Sequence, residues 1–226
     1  MQHKDAMTRF INDTRKHVMT IHRDDGIYRH LKFSMPGANS YRFDLVTWPG
    51  YLCVTGDMGT WTFSRLADMF EFFTAPHFGR CESFLINPGY WAEKFEAGAG
   101  HSRRESPCYE FDGDHFDKSI KEWLTEYLSN CEDEDDRERA EDAVREVTGN
   151  GFRKESDAIH SIQDAFFPDD VSTYDLTCDA CQQRPSFHYL WICYAIVWGI
   201  EHYRNKKVAE KAIDIFLTFR QIKSTC

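Results

Sequence analysis

Long apolar runs are missing from this sequence. The longest, residues 189–200, has 12 residues, whereas an α-helix needs about 20 to span the hydrocarbon core of a bilayer. The opening segment, residues 1–14, is polar and lacks the apolar stretch of a secretory signal. We therefore expect a protein of the cytoplasm, a reducing compartment, without a transmembrane helix.

Signatures of catalysis and of repeats are also absent. The sequence contains no phosphate-binding P-loop, dinucleotide fingerprint, nucleophile elbow or H-E-x-x-H zinc motif, and no repeat of fixed period. His22 and His30 are candidate acid–base groups at predicted strand ends, but the sequence assigns no nucleophile to them. An enzyme that processes nucleic acid is therefore the third of three functional hypotheses.

The eight cysteines are scattered through a chain of medium size. This distribution favours free buried thiols over a disulfide framework. Cys178 and Cys181, with His188 a few residues further on, have the ligand types of a zinc site. A second pair at suitable spacing is missing. We expect no cofactor and keep zinc as the minor alternative.

The first third of the chain predicts an antiparallel sheet. Short segments rich in β-branched and aromatic residues alternate with turn sequences such as Asp25-Gly26. The predicted strands are residues 18–22, 27–33, 41–47, 51–55 and 60–64. A short helix over residues 66–73 is expected to cover one face of this sheet.

The rest of the chain has helical periodicity. The predicted helices are residues 115–129, 132–147, 153–167, 189–200 and 208–219, the last two joined as a hairpin across 203–206. The expected fold class is α+β. Residues 1–96 are predicted to form the antiparallel sheet with its helix, residues 97–112 a loop or linker, and residues 113–226 a mainly helical part. One continuous domain is the alternative.

Charge is distributed unevenly along the sequence. The net charge is −10, yet residues 1–65 carry nine Lys/Arg against six Asp/Glu. Acidic residues are most frequent in the helix predicted over residues 132–147. Just before it, Ser129 and Glu132 have the spacing of a capping box. Two surfaces of opposite sign are expected. The acidic one disfavours direct contact with DNA and favours basic protein surfaces.

Two ordered blocks of the sequence stand out. The first is FDLVTWPGYLCVTGDMGT at residues 43–60, continued by FSR at 63–65 and DMFEFF at 68–73. The second includes FHYLW at 187–191 and WGI at 198–200. Together they resemble a family of mostly uncharacterised proteins encoded by tailed phages and prophages. The resemblance implies a bacterial host cell during infection or lysogeny, and it implies no catalytic residues. The acidic helix lies outside both blocks.

The leading hypothesis is a non-catalytic protein that inhibits a host macromolecule, such as a bacterial defence complex, as anti-CRISPR proteins do. Its acidic helix would mimic nucleic-acid phosphates toward a basic surface. The predicted partner-binding residues are Glu132, Asp133, Glu134, Asp135, Asp136 and Glu138. A solvated helix face that only aids solubility is the simpler explanation. A homodimer, in which this tract meets the positive N-terminal third of another copy, is a further alternative.

The alternative function is capture of a nucleotide or a short single strand on the sheet. Aromatic rings stack on bases, and guanidinium groups contact phosphates. The predicted ligand-binding residues are Arg29, Arg42, Trp48, Asp57, Trp61 and Arg65. Packing of the aromatic side chains against each other within the sheet is the competing explanation.

Overall fold

The computed structural model describes residues 3–74, 85–98 and 108–224. Contacts divide the chain into two compact units, which we call the sheet unit (Met1–Cys108 and Phe187–Cys226) and the helical unit (Tyr109–Ser186). The α+β class predicted from the sequence is confirmed. The sequence had grouped all residues from 113 onward as one helical part, whereas the last segment, from residue 187, belongs to the same compact unit as the sheet.

The sheet unit is built on a six-stranded antiparallel meander. Its strands are β1 (Val18–Asp25), β2 (Tyr28–Ser34), β3 (Phe43–Trp48), β4 (Tyr51–Gly56), β5 (Gly59–Ser64) and β6 (Phe95–Gly98). The strands predicted from the sequence are confirmed as β1–β5. Tight turns fix their order. Gly50, for example, has φ +86°, a value that side chains disfavour, and it helps to close the turn between Trp48 and Tyr51.

Alternation of side chains gives the sheet one buried face. The buried residues on β2–β5 include Leu31, Phe33, Phe43, Leu45, Leu52, Val54, Trp61 and Phe63. Helix α1 (His3–Thr14) adds Ala6 and Phe10, one turn apart. Helices α2 (Met69–Thr74) and α3 (Pro88–Ala92) add further buried aromatic side chains. Helix α2 starts later than predicted, and Leu66, expected to cover the sheet, is exposed.

The longest helix, α8 (Phe187–Ser224), has two different halves. Residues 189–200, which the sequence predicted as a helix, are all buried, whereas residues 204–220 are all exposed. Gly199 allows close approach to the sheet, because a Cβ there would lie 2.6 Å from Leu45 Cδ1. The predicted hairpin across residues 203–206 was wrong: that segment contains neither glycine nor proline, and the helix continues through it.

The helical unit contains α4 (Gly113–Asn130), α5 (Glu134–Val147), α6 (Glu155–Asp164), α7 (Thr173–Ala180), and a small sheet of β7 (Tyr109–Phe111) with β8 (Gln183–Pro185). The sequence predicted the first three helices but not α7. Their apolar faces form one core that includes Phe116 and Val144. Because Tyr109 pairs with Pro185, the two ends of this unit lie side by side.

Candidate functional site

The two units differ in charge. The helical unit carries 22 Asp/Glu and eight Lys/Arg, a formal charge of −14 in 78 residues. The sheet unit carries 15 Asp/Glu and 19 Lys/Arg, a formal charge of +4, so the two values account for the −10 of the whole chain. The uneven charge expected from the sequence therefore follows the boundary between the folded units.

Helix α5 has the highest density of acidic residues in the helical unit. Asp133 is its N-cap, since its side chain accepts hydrogen bonds from the backbone N–H groups of Asp135 (2.9 Å) and Asp136 (3.2 Å). The predicted capping box at Ser129 does not form, because α4 continues through that residue and its hydroxyl donates to the Glu126 carbonyl. The cap fixes the first turn of α5, where carboxylates also interact favourably with the helix dipole.

The apolar side of α5 determines which carboxylates face solvent. Ala140, Ala143, Val144 and Val147 are buried in the core of the unit. Seven carboxylates and three arginines occupy the remaining positions, over a length of about 21 Å. That is one carboxylate per about 3 Å, or one net charge per about 5 Å, against one phosphate per about 3.4 Å along a DNA strand. The helix approaches the charge density of a nucleic-acid strand without reaching it.

The predicted partner-binding residues are not equivalent. Glu132, Asp133, Glu134, Asp135 and Glu138 are exposed. Asp136 is instead half-buried and ion-paired with Arg139. Arg137 approaches Glu134 only at 3.7 Å, and Glu134 stays 93% exposed. Because Asp133 is engaged as the N-cap, the carboxylates most accessible to a partner are those of Glu132, Glu134, Asp135 and Glu138.

A shallow groove of about 360 Å³ runs beside α5. Its lining residues are Asp135, Glu138, Arg139, Asp142, Ala143, Glu146 and Phe166. Phe166 is 74% exposed although its neighbour Phe167 is buried. The sequence predicted a helix over residues 153–167, but α6 ends at Asp164 and leaves the Phe166 ring outside. The groove suits a basic side chain, whose aliphatic stem packs on the ring while its charge meets the carboxylates.

The second candidate site is the sheet face opposite to the buried one. Trp48 and Tyr51 are cross-strand neighbours there, and their rings stack with centroids 5.3 Å apart. They are 36% and 38% exposed. The exposed Tyr28, on β2, has the Arg23 guanidinium over its ring at 4.9 Å. These rings and charges lie where a flat ligand can stack.

The sheet does not gather the predicted ligand-binding residues into one site. Trp61 lies on the buried face, is 4% exposed, and donates its indole N–H to the Met58 carbonyl at 2.8 Å. Arg42 and Asp57 are exposed at one end of the strands, where the Asp57 N–H donates to the Arg42 carbonyl. Arg65 follows β5 at the other end. Of the predicted set, only Trp48 lies on the open face itself.

Arg29 belongs to an ion-pair network within the sheet unit. Its guanidinium makes hydrogen bonds of 2.9 and 2.8 Å to Asp68 and lies over the rings of Phe70 and Tyr203. The Tyr203 hydroxyl donates to Asp24 at 2.7 Å. The hydrogen bonds from Arg29 hold the pKa of Asp68 below its ordinary value, because only the carboxylate form accepts them. Arg29 is therefore engaged in contacts that hold the fold together.

The predicted zinc ligands do not form a metal centre within the described part of the chain. Cys178 is exposed and Cys181 half-buried, and no group of three or more metal-ligating side chains occurs among the described residues. Burial, with the nearby Glu155, raises the pKa of the Cys181 thiol to about 11. A thiol that keeps its proton is a poor nucleophile. His188, the third predicted ligand, lies in the first turn of α8.

Acid–base groups on the open sheet face are not arranged for nucleophilic catalysis. His30 Nε2 lies 2.7 Å from Asp44 Oδ2, and the rings of His22 and His30 are 4.8 Å apart. The thiol in the same cross-strand row, Cys53, is separated from His30 by Val46. Two strand spacings amount to about 9–10 Å, which is too far for a thiolate–imidazole pair. Cys53 and His30 therefore do not form a nucleophile–base pair in this row.

The two candidate sites are therefore the groove beside α5 and the open face of the sheet. Among the residues that the structure describes, no helix is at once long enough and apolar enough to cross a bilayer. Comparisons with protein-family models, with curated proteins and with solved structures gave no match.

Proposed function

We propose that this protein is a non-catalytic interaction protein that inhibits its partner by covering a basic, nucleic-acid-binding surface. The observation that carries the proposal is the charge of −14 within one folded unit of 78 residues. A field of this size steers basic partners toward the unit and repels nucleic acid. The exposed carboxylates at the start of α5 supply the contact, because the Asp133 cap holds that turn in place.

The groove beside α5 supports binding over the simpler solubility explanation. A solubilising face requires charge only, whereas this groove sets the exposed ring of Phe166 beside Asp135, Glu138 and Asp142. Aromatic side chains are frequent anchors of protein interfaces. Lys and Arg side chains that bind phosphates also bind carboxylates in similar geometry. The groove therefore combines an apolar anchor with a phosphate-like set of acceptors.

The proposed partner is a protein or nucleoprotein of a bacterial cell. The two sequence blocks that resemble phage-encoded proteins support this setting. A host defence complex that binds nucleic acid needs a basic groove to do so, and such a groove is what an acidic face of this kind would cover. Direct binding of DNA by the helical unit is disfavoured by charge of the same sign.

Charge reversal at the start of α5 tests this proposal. In a triple variant, Glu134→Lys, Asp135→Lys and Glu138→Lys, we expect loss of a stoichiometric protein partner, because lysines would face a basic surface. The N-cap Asp133 and the paired Asp136 are left unchanged, so that α5 keeps its fold. The tagged chain is recovered from bacterial lysate, and its complexes are measured by native mass spectrometry with the partners identified in the same sample.

A matched control reverses three exposed carboxylates elsewhere in the helical unit. The substitutions are Asp164→Lys, Asp169→Lys and Asp179→Lys. This variant has the same net charge as the α5 variant and should retain the partner. Raised salt or added nucleic acid should release the partner from the unaltered protein. Equal loss in both variants, or no stoichiometric protein partner, would contradict the proposal.

The stacked pair of Trp48 and Tyr51 supports a second function, binding of a nucleotide or single-stranded nucleic acid. It ranks lower because Arg29 and Trp61 are committed to the fold. Stacking of one base is worth about 1–3 kcal/mol, so Trp48→Ala should weaken oligonucleotide binding by about five- to 150-fold in a fluorescence-anisotropy titration. The α5 variant should bind at least as tightly as the unaltered protein, because it loses negative charge and keeps Trp48. An unchanged affinity in Trp48→Ala would exclude this function.

A further inference from the structure

The C-terminal half of α8 carries an exposed apolar surface that the proposed function does not use. Its large apolar side chains, 49–68% exposed, are Val208, Ile213, Ile215, Phe216, Leu217 and Phe219. Contiguous exposed apolar patches mark interaction sites. An isolated helical segment is marginal in water unless its apolar face is packed. We therefore expect another apolar surface to pack against these exposed turns of α8.

The spacing of these residues indicates what kind of partner fits. Val208, Ala212, Ile215 and Phe219 follow one another at intervals of four, three and four, which is the alternation of apolar positions in a coiled coil. We call these four residues the α8 seam. Such a seam is covered by another helix whose side chains fill the gaps between its own.

We infer that the α8 seam pairs with the same seam of a second copy of this chain, in antiparallel orientation. A two-fold axis at the midpoint of the seam places Val208 opposite Phe219 of the second copy. It also places Ala212 opposite Ile215. Each larger side chain thus meets a smaller one, and each contact occurs twice, as an isologous interface requires.

A parallel pair fits the same residues poorly. It would set Phe219 against Phe219 and Ala212 against Ala212, which crowds one layer and leaves a void in the other. In the antiparallel pair, the flanking Phe216 faces Ala209, again a large residue against a small one. Lys211 faces Thr218, so the flanks bring no like charges together.

The area of the seam sets the expected affinity. A whole aromatic side chain buries about 150–250 Å², and Phe216 and Phe219 are 62% and 65% exposed. Each would therefore bury roughly 100–150 Å², and the seam a few hundred Å² per copy, against about 800 Å² per partner in a standard interface. The dimer is accordingly weak and dissociates on dilution. Salt strengthens it, because salt screens the repulsion between two chains of charge −10.

Sedimentation velocity of the full chain, from low to high micromolar concentration, tests the pairing. The native chain should show a reversible monomer–dimer equilibrium. Phe219→Asp should raise the dissociation constant roughly tenfold or more, because a carboxylate would enter the apolar layer. Leu217→Asp is the matched control: it changes an exposed apolar residue of the same helix that points away from the seam, and it should leave the equilibrium unchanged.

A second variant tests the orientation by a gain of affinity. Thr218→Glu places a carboxylate opposite Lys211 of the second copy, at two symmetric positions, and should tighten the dimer. A monomer at every concentration would overturn the inference, whether or not the chain binds anionic vesicles. So would a dimer that Phe219→Asp and Leu217→Asp weaken equally, or one that Thr218→Glu weakens. Circular dichroism should show that every variant remains folded, with a partial loss of helix content in Phe219→Asp alone, because its exposed turns lose their partner.

Discussion

Replacement of Trp191 by alanine is expected to lower the free energy of unfolding of the sheet unit by about 3–5 kcal/mol. Trp191 is fully buried. Its ring meets Phe10 of α1 at 5.1 Å and Phe43 of β3 at 5.6 Å, both edge to face, and its indole N–H donates to Asp13 at 3.2 Å. One side chain therefore joins α1, α8 and the sheet, and its removal leaves both a cavity and a carboxylate without its donor.

Hydrogen exchange measured by mass spectrometry on the intact chain reports this loss for peptides of β3–β5. Unlike intrinsic fluorescence, it does not depend on the tryptophan that is removed. The matched control, Trp48→Ala, deletes an exposed tryptophan of the same sheet and should cost less than about 1 kcal/mol. If the two variants lost protection equally, the core would not be organised around α8.

Arg29→Ala is expected to cost the sheet unit about 3 kcal/mol. The Arg29 and Asp68 side chains are only 11% and 20% exposed, so removal of the guanidinium leaves a nearly buried carboxylate. That carboxylate would keep one hydrogen bond, from the backbone N–H of Phe70. The aromatic contacts of Arg29 with Phe70 and Tyr203 are lost as well. Urea unfolding followed by circular dichroism, in which the denaturant carries no charge, measures the difference.

A double variant and a pH series distinguish the ion pair from simple packing. Arg29→Met with Asp68→Leu removes both charges, so it should be less destabilised than Arg29→Ala. The pKa of Asp68 is lowered below its ordinary value of 3.8. Its contribution is thus present above pH 3.8 and is lost as the pH falls through the lower, folded value. Arg29→Met should flatten that part of the acid dependence, and an unchanged dependence would argue against the pair.

The sheet could be predicted because local chemistry specifies it. The alternation of apolar and polar side chains and the residues of tight turns are both short-range signals, and β1–β5 show both. Helix α1 was missed because its apolar contribution is small, with Ala6 and Phe10 buried among polar residues. The course of α8 was missed for another reason. A break was assigned where the apolar character changed, whereas a helix ends only where its backbone is interrupted or capped.

The candidate site could be predicted in kind but not in detail. The acidic residues of α5 are evident from the sequence. Asp133, Glu134, Asp135 and Glu138 are exposed as expected. The exposure of Phe166 was not foreseeable, because it depends on where α6 ends. The same holds for Arg29, whose partner Asp68 lies 39 residues away in sequence. Long-range pairing decides whether a charged side chain serves the fold or the surface.

The sheet unit is formed by two segments that are far apart in the sequence, and this affects how the protein folds during synthesis. Strand β5 ends at Ser64, and the buried half of α8 ends at Ile200, 136 positions later. At about 5–20 residues per second, the ribosome needs on the order of ten seconds to cover that distance. The helical unit is continuous in sequence and can complete its contacts during this interval. The N-terminal sheet, although synthesised first, is then the last part to bury its apolar face, and it is the segment on which a nascent-chain chaperone would act.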